Sequence, residues 1–203
     1  MFDTTQLLRE EFPTIETFVT LSPIPRFRKW LEAKVSQNDD STFFDETLLS
    51  DQDFVRLTES GLLAKTPSTQ REAYSMFLDL LQEVSFSSTE LQTTSAETVL
   101  RPILMKLAAR YLVLEKHRGK PLDGVGRFHI GNGAEVFRIN YGADLSRKGV
   151  QNSFGMMVNY RYDLSALATN QHQFELDYSF PVSPDVAELL HPASDHGEKR
   201  SRL

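Results

Sequence analysis

A histidine stands next to a turn that would hold its side chain in a fixed place. His129 lies in Phe128-His129-Ile130, directly before Gly131-Asn132-Gly133. Gly-Asn-Gly is typical of a tight chain reversal with positive φ. We therefore expect a β-hairpin with strands over about 125–130 and 136–140, with His129 at the open edge of a sheet. An imidazole there could transfer a proton near neutral pH. The more common alternative is a half-buried, hydrogen-bonded histidine without a catalytic role.

A serine stands at a second rigid position, about a hundred residues earlier. Residues 15–21 are rich in Ile, Thr, Phe and Val, which predicts a short strand. Ser22 follows it, and Pro23 and Pro25 come next. Each proline fixes its own φ and disfavours the α conformation of the residue before it. The direction of the Ser22 side chain is therefore set in advance. The alternative is an ordinary strand-to-helix connector with a capping serine.

Composition excludes several classes of function. The chain has 203 residues, a net charge of -6 and no cysteine, which excludes disulfides and thiolate chemistry. Its five histidines show no ligand spacing, so a metal site is not expected. No Lys/Arg block with interleaved aromatic residues is present, so we expect no nucleic-acid partner. No apolar run approaches the length of a membrane span.

The two ends of the sequence bear on where the protein works. Residues 1–6 lack the basic and apolar regions of a secretory signal. The last three residues, Ser201-Arg202-Leu203, are similar to the Ser-Lys-Leu address that a peroxisomal import receptor reads. We therefore expect a peroxisomal location and a disordered tail, with the cytoplasm or the mitochondrion as alternatives. A solvated basic tail without an address function is the other interpretation.

The spacing of apolar residues predicts mainly helices in the first half and strands in the second half. A first helix is expected over 3–11, and helical spacing continues through about 27–118. Within it, Ser50 and Thr69 open helices, the latter as a capping box, and Pro102 starts a helix. Alternation then predicts a strand over 156–162 with one polar and one aromatic face, and an edge strand over 174–180. A terminal helix is expected over 184–190. This order predicts an α/β (α+β) fold.

Several stretches resemble the catalytic C-terminal part of the malonyl-CoA decarboxylase family. They are Leu21-Ser-Pro-Ile-Pro25, Glu115-Lys-His-Arg-Gly119, Phe128-His-Ile-Gly-Asn-Gly-Ala134, Arg138-Ile-Asn140 and Met157-Val-Asn-Tyr-Arg-Tyr162. The resemblance covers roughly residues 5–165. It implies a partial N-acetyltransferase-like sheet with a long helical insertion over about 27–118. Residues 1–165 would then form a partial catalytic domain, and 166–203 a C-terminal extension.

The resemblance also implies a reaction and a site. The reaction is decarboxylation of malonyl-CoA to acetyl-CoA and CO₂, a step that regulates fatty acid synthesis and oxidation. Ser22 matches the family's proton acceptor and His129 its proton donor. Asn132 and Tyr162 are expected beside the substrate, although either could instead fix the backbone of the turn. No metal or organic cofactor is expected, because the thioester itself accepts the electrons.

Two departures from the family pattern leave the activity of this chain open. In the family a glycine-containing loop holds the coenzyme A pyrophosphate before the first helix, but this chain has no glycine before Gly61. Arg26 stands where the family usually has glycine.

One hypothesis is a decarboxylase whose sequence here starts after the loop, so that this chain releases little or no CO₂ by itself. The other is a non-enzymatic fragment that forms homo-oligomers or binds a partner. An acetyltransferase is a third, weaker possibility. In either main case the strand over 15–21 should have an unpaired edge and an exposed apolar face.

Overall fold

The computed structural model describes residues 10–15, 17–36, 48–83 and 95–191, together with Leu7. In chain order the elements are β1 (Phe18–Pro23), α1 (Phe27–Ser36), α2 (Asp51–Glu59), α3 (Gln70–Glu83), α4 (Ser95–Val113), β2 (Lys116–His117), β3 (Lys120–Pro121), α5 (Gly124–Gly131), β4 (Glu135–Asn140), α6 (Arg147–Ser153), β5 (Met157–Tyr162), α7 (Leu167–Asp177) and α8 (Pro184–Leu190). The mixed α+β class is confirmed. The N-acetyltransferase-like detail stays a prediction.

A three-stranded antiparallel sheet in the order β1-β5-β4 is the framework of the molecule. Because successive side chains of a strand point to opposite faces, Val158, Tyr160 and Tyr162 of β5 share one face, and all three are buried. Asn159 and Arg161 lie on the other face and are only partly buried. The prediction of one aromatic and one polar face on this strand is confirmed.

The edge strand β1 leaves part of the sheet open. Among the described residues, β1 pairs only with β5. Its outward-facing side chains Val19 and Leu21 are 49% and 55% exposed. The expected unpaired edge and exposed apolar face are therefore observed in this part of the chain. Its inward-facing neighbour Ser22 is directed instead toward the buried side of the sheet, 5% exposed.

Within the described part of the predicted helical insertion over about 27–118, the chain forms the four helices α1 to α4. Both predicted helix starts are confirmed: Ser50 caps α2 and exchanges hydrogen bonds with Asp53, and the Glu72 N–H donates to Thr69 Oγ1 at the start of α3 over 3.2 Å. The second bond at Thr69 differs from the predicted capping box, because the Glu72 carboxylate accepts the Ser68 N–H, over 2.7 Å. The predicted start at Pro102 is wrong, because α4 begins at Ser95 and contains the proline. Pro102 and Thr98 are both exposed, so water can satisfy the Thr98 carbonyl that lacks an N–H partner.

The segment after β5 is helical and packs on the rest of the fold. The predicted edge strand over 174–180 is wrong: Phe174 lies in α7, one helical face with Leu167, and both are buried. Tyr178 ends that helix in the left-handed conformation, with φ 61. The predicted terminal helix is confirmed as α8, and Ser183 ties its start to β4 by donating to the Phe137 carbonyl over 2.6 Å. The boundary at residue 165 stays a prediction.

Some sequence-based expectations lie largely outside the described residues. Of the first helix expected over 3–11, Leu7, Glu10 and Glu11 are described, and they are helical. The tail with Ser201-Arg202-Leu203 is not described. Among the residues that are, no helix is both long enough and apolar enough to cross a membrane.

Candidate active site

His129 is carried by the short helix α5. Asp123 caps this helix, since its Oδ1 accepts the Gly126 N–H over 2.6 Å. Gly126, His129 and Ile130 are its buried residues, and their spacing of three and four places them on one helical face. The predicted strand over 125–130 is therefore wrong. The Gly-Asn-Gly segment still turns the chain, with Gly133 at φ 81, but it joins a helix to β4 instead of two strands of a hairpin.

Ser22 and His129 meet between α5 and the sheet. Ser22 lies opposite Val158 in the β1–β5 register, so its side chain points to the buried face of the sheet. Its Oγ is 3.0 Å from Nε2 of His129, a buried hydrogen bond between residues 107 positions apart. The two side chains singled out in the sequence are therefore in direct contact. Their catalytic roles stay predictions at this point.

Two tyrosines of β5 fix the imidazole. The Tyr162 hydroxyl lies 2.7 Å from Nδ1 of His129, so both ring nitrogens have a partner. Tyr160 stacks on one face of the imidazole, with ring centroids 4.5 Å apart and an interplanar angle of 18°. A ring held at both nitrogens and on one face has little freedom to rotate. This arrangement can therefore deliver a proton in a fixed direction.

Burial sets the protonation states at this site. His129 is 7% exposed, and its burial lowers the pKa of the imidazole below the ordinary value near 6.5. Burial disfavours a charged form, so the free site holds a neutral imidazole at neutral pH. Burial also raises the pKa of Tyr162 to about 12. The Tyr162 hydroxyl thus keeps its proton and can donate it in a hydrogen bond.

The two expected substrate neighbours differ in their positions. The structure brings Tyr162 to the Ser22–His129 pair, as described above. Asn132 instead donates its side-chain N–H to the Phe128 carbonyl over 2.7 Å, at the end of α5. This bond favours the alternative in which Asn132 fixes the backbone of the turn. A substrate-binding role for either residue stays a prediction.

Sequence reasoning missed three residues that hold the site. Thr20 lies two positions before Ser22 on β1, and its Oγ1 is 3.1 Å from Ser22 Oγ. Tyr160 stacks on the imidazole of His129, and Asp123 caps the helix that carries this histidine. Thr20 and Tyr160 could have been found from the alternation of side chains along a strand, because Thr20 shares a face with Ser22 and Tyr160 shares a face with Tyr162. The cap at Asp123 is visible only once a helix is expected there.

Known proteins match this chain over most of its length. A family model described as "Malonyl-CoA decarboxylase C-terminal domain" matches residues 3–200. The chain is 36% identical over 165 residues to "Malonyl-CoA decarboxylase, mitochondrial" of Anser anser anser, covering 80% of this chain and 30% of the relative. It is 34% identical over 183 residues to the protein of the same name from Mus musculus, covering 90% and 35%.

Solved structures agree with the sequence matches. The malonyl-CoA decarboxylase from Cupriavidus metallidurans superposes with a TM-score of 0.66 at 36% identity, over 93% of this chain and 42% of that chain. The malonyl-CoA decarboxylase from Rhodopseudomonas palustris gives a TM-score of 0.64 at 31% identity, over 92% and 36%. The chain spans about a third of the length of the curated relatives it matches.

Proposed function

Because the chain belongs to the malonyl-CoA decarboxylase family, we propose that it carries the proton-transfer residues for converting malonyl-CoA to acetyl-CoA and CO₂. The observation that supports this most strongly is the buried hydrogen bond of 3.0 Å between Ser22 Oγ and His129 Nε2. It joins two segments that both resemble the family, and it presents one hydroxyl and one imidazole nitrogen to the same small volume.

The chemistry of the reaction explains why these side chains are suitable. Loss of CO₂ from the malonyl group leaves an enolate on the thioester, and the developing negative charge sets the barrier. The carbon that lost CO₂ then takes up one proton, which gives acetyl-CoA. We assign that proton to Nε2 of His129. The thioester carbonyl accepts the electron pair of the broken C–C bond, so the proposed reaction requires no metal or organic cofactor.

The substrate itself would prepare the imidazole for this role. In the free site, burial lowers the pKa of His129 and keeps the ring neutral. A malonyl carboxylate within about 4–6 Å adds a negative charge, which favours the protonated ring and raises that pKa. The imidazolium can then form when substrate is bound. It loses its proton to the enolate carbon and regains one from water.

Ser22 and Tyr162 have supporting roles in this proposal. The Ser22 hydroxyl, held in direction by β1 and Pro23, can hydrogen-bond and orient the malonyl carboxylate. A neutral hydroxyl stabilises the carboxylate less than a cation would, so departure of CO₂ is not opposed. Tyr162 holds Nδ1 over 2.7 Å and keeps Nε2 directed at the substrate.

Release of CO₂ from malonyl-CoA labelled in the free carboxyl group tests the proposal. In an active form, Ser22→Ala and His129→Asn should each lower turnover at least about a hundredfold, the usual scale for acid–base groups. His172→Asn is the matched control, since His172 is exposed on α7 and should keep the rate of the parent protein. Unchanged turnover in Ser22→Ala or His129→Asn would remove that residue from the mechanism.

The same assay on the 203-residue chain separates the two main hypotheses for this sequence. We expect little or no CO₂ release from the chain alone, because the glycine-containing loop of the family has no match in it. Binding of malonyl-CoA without turnover would still support a decarboxylase site. If the chain binds no malonyl-CoA and self-associates, the non-enzymatic alternative is favoured.

The location of the protein is a separate proposal. The curated relatives are named as mitochondrial proteins, whereas Ser201-Arg202-Leu203 is similar to a peroxisomal address. We propose that this tripeptide is recognised by a peroxisomal import receptor. A fluorescent protein fused to the tail should enter peroxisomes, and the same fusion without Leu203 should not. Equal distributions of the two fusions would exclude the address.

A further inference from the structure

We infer that Thr20 is a positioning residue that sets the direction of the hydrogen-bond chain through Ser22 and His129, so that Nε2 of the resting imidazole carries the proton. The inference concerns this site in its free state. It does not rest on the proposed function.

Four side chains form one continuous chain of hydrogen bonds. Tyr162 Oη lies 2.7 Å from His129 Nδ1, and His129 Nε2 lies 3.0 Å from Ser22 Oγ. Ser22 Oγ lies 3.1 Å from Thr20 Oγ1. Thr20 and Ser22 are two positions apart on β1, so both side chains face the same side of the sheet. Each hydroxyl and the neutral imidazole have one hydrogen to donate within the chain.

Such a chain has two possible directions. In the first, Tyr162 donates to Nδ1, Nε2 donates to Ser22, and Ser22 donates to Thr20. In the second, Ser22 donates to Nε2, Nδ1 donates to Tyr162, and the Tyr162 hydroxyl must find a further acceptor. Tyr162 is 3% exposed, and among the described residues its hydroxyl has no hydrogen-bond partner besides His129. The second direction therefore leaves a buried O–H without an acceptor.

The first direction leaves no buried O–H without an acceptor, because its last donor is the Thr20 hydroxyl, which can reach solvent. Thr20 is only partly buried, so its own hydroxyl hydrogen can be donated to water. A buried donor without an acceptor makes the second arrangement roughly fivefold to a hundredfold less populated. Thr20 is needed for this bias because it accepts the Ser22 hydrogen. Without that acceptor, either direction leaves one hydroxyl unsatisfied and the bias disappears.

The direction decides what kind of chemistry the pair can perform. With Nε2 protonated, Ser22 accepts a hydrogen bond from His129 and is not deprotonated by it. His129 is then placed to donate a proton to a group that displaces or bridges Ser22. With Nε2 unprotonated, the imidazole would act as the base that activates a serine nucleophile. Thr20 thus favours proton donation over attack by Ser22.

The tautomer of His129 can be read directly from ¹⁵N chemical shifts of a histidine-labelled chain at about pH 8, with His129→Asn used to assign the signals. In the unsubstituted chain and in Thr20→Ser we expect the Nδ1–H form to be at most about one sixth of the population. In Thr20→Val it should rise to about one half, an increase of at least about threefold. Valine favours strands, so Thr20→Val should fold, and Thr20→Ala gives a second reading if it does not.

Reactivity of Ser22 toward a fluorophosphonate supplies an independent measurement on the same samples. Labelling should become at least about threefold faster in Thr20→Val, because Ser22 then donates to Nε2 in more molecules. Thr20→Ser should label at the original rate, and Ser22→Ala with Thr20→Val should not label at this site. A substitution that only loosened the structure would not restore slow labelling in Thr20→Ser.

The outcomes separate this inference from the proposed function. An Nδ1–H tautomer in the unsubstituted chain, or the same tautomer ratio in all Thr20 variants, overturns the inference. If the tautomer shifts as expected but no form of the enzyme decarboxylates malonyl-CoA, the inference stands and the proposed function fails.

Discussion

One added methyl group at Gly126 should disturb the support of His129. A Cβ at this position would lie 2.8 Å from Tyr160 Oη, closer than side-chain carbons normally approach, and 3.4 Å from Asp123 Oδ1. Tyr160 is 0% exposed, so its ring cannot swing into solvent. A Cβ at Gly124, in the same helix, would find nothing closer than 3.9 Å, the flexible end of Arg127. Gly124→Ala is therefore the matched control for Gly126→Ala.

The difference between the two variants isolates the steric contact. Replacing glycine by alanine in a helix stabilises it by roughly 0.5–1 kcal/mol, and this gain applies to both positions. Overpacking a core contact costs typically about 1–3 kcal/mol. We therefore expect Gly126→Ala to have a free energy of unfolding about 1–3 kcal/mol below that of Gly124→Ala. Urea unfolding followed by circular dichroism measures both, and equal slopes in urea show that the same surface is exposed.

Removing the Tyr160 hydroxyl should reverse the effect. Within the described residues this hydroxyl is buried and has no hydrogen-bond partner, so Tyr160→Phe should be neutral or slightly stabilising. In the Tyr160→Phe background the atom that the new methyl group meets is gone. The gap between Gly126→Ala and Gly124→Ala should then shrink to within about 0.5 kcal/mol. The reasoning is refuted if the two alanine variants are equally stable, or if the gap persists without the hydroxyl.

Three further predictions concern His129, Tyr162 and the edge strand β1. Because burial lowers the pKa of His129, the folded state binds fewer protons than the unfolded state, and the free energy of unfolding should decline as the pH falls below about 6.5. Urea titrations between pH 5 and 8 should show a smaller decline in His129→Asn, and an equal decline in both proteins would contradict the lowered pKa of His129. Tyr162→Phe removes the hydroxyl that lies 2.7 Å from Nδ1 of His129, and should lower kcat roughly tenfold in an active form, with little change in KM. An unchanged kcat would show that Tyr162 does not position the imidazole for turnover. The alternative in which copies of the chain associate is tested at the exposed face of β1, where Leu21→Lys places a charge on the edge strand. If copies pair through β1, light scattering should show less association of Leu21→Lys than of Leu176→Lys, a control at a 66% exposed position of α7; equal association of the two variants would exclude the β1 edge as the contact.

The parts of the fold with clear local signals were predictable from the sequence. β5 alternates strictly between buried and less buried side chains, and its bounds were found to within one residue. The cap at Ser50 has an acidic residue three positions later, which is a local pattern that survives in the structure. Local hydrogen bonding and side-chain period determine such elements, so tertiary contacts do not need to be known.

The elements that were mispredicted depend on distant contacts. Phe174 and Tyr178 favour a strand by type, but α7 buries Phe174 against α5, with Gly131 close to its ring. α5 itself contains Val125 and Ile130 with three glycines, a composition with low helix propensity. Its helical form depends on the Asp123 cap and on packing over Tyr160. Neither contribution can be evaluated from residues 124–131 alone.

Family resemblance predicts that Ser22 and His129 belong to one site, but it does not predict the geometry of their contact. A hairpin would have placed His129 within the sheet, where its face depends on strand register. On α5 the imidazole instead crosses from the helical layer to the sheet and reaches β1 and β5 together, bonded to Ser22 on one and Tyr162 on the other. Because β1 and β5 are adjacent antiparallel strands, both partners stay fixed relative to each other. The position of α5 then decides where the imidazole lies relative to these two strands. Asp123, which caps α5, and Gly126, which packs on Tyr160, therefore help to set the position of His129.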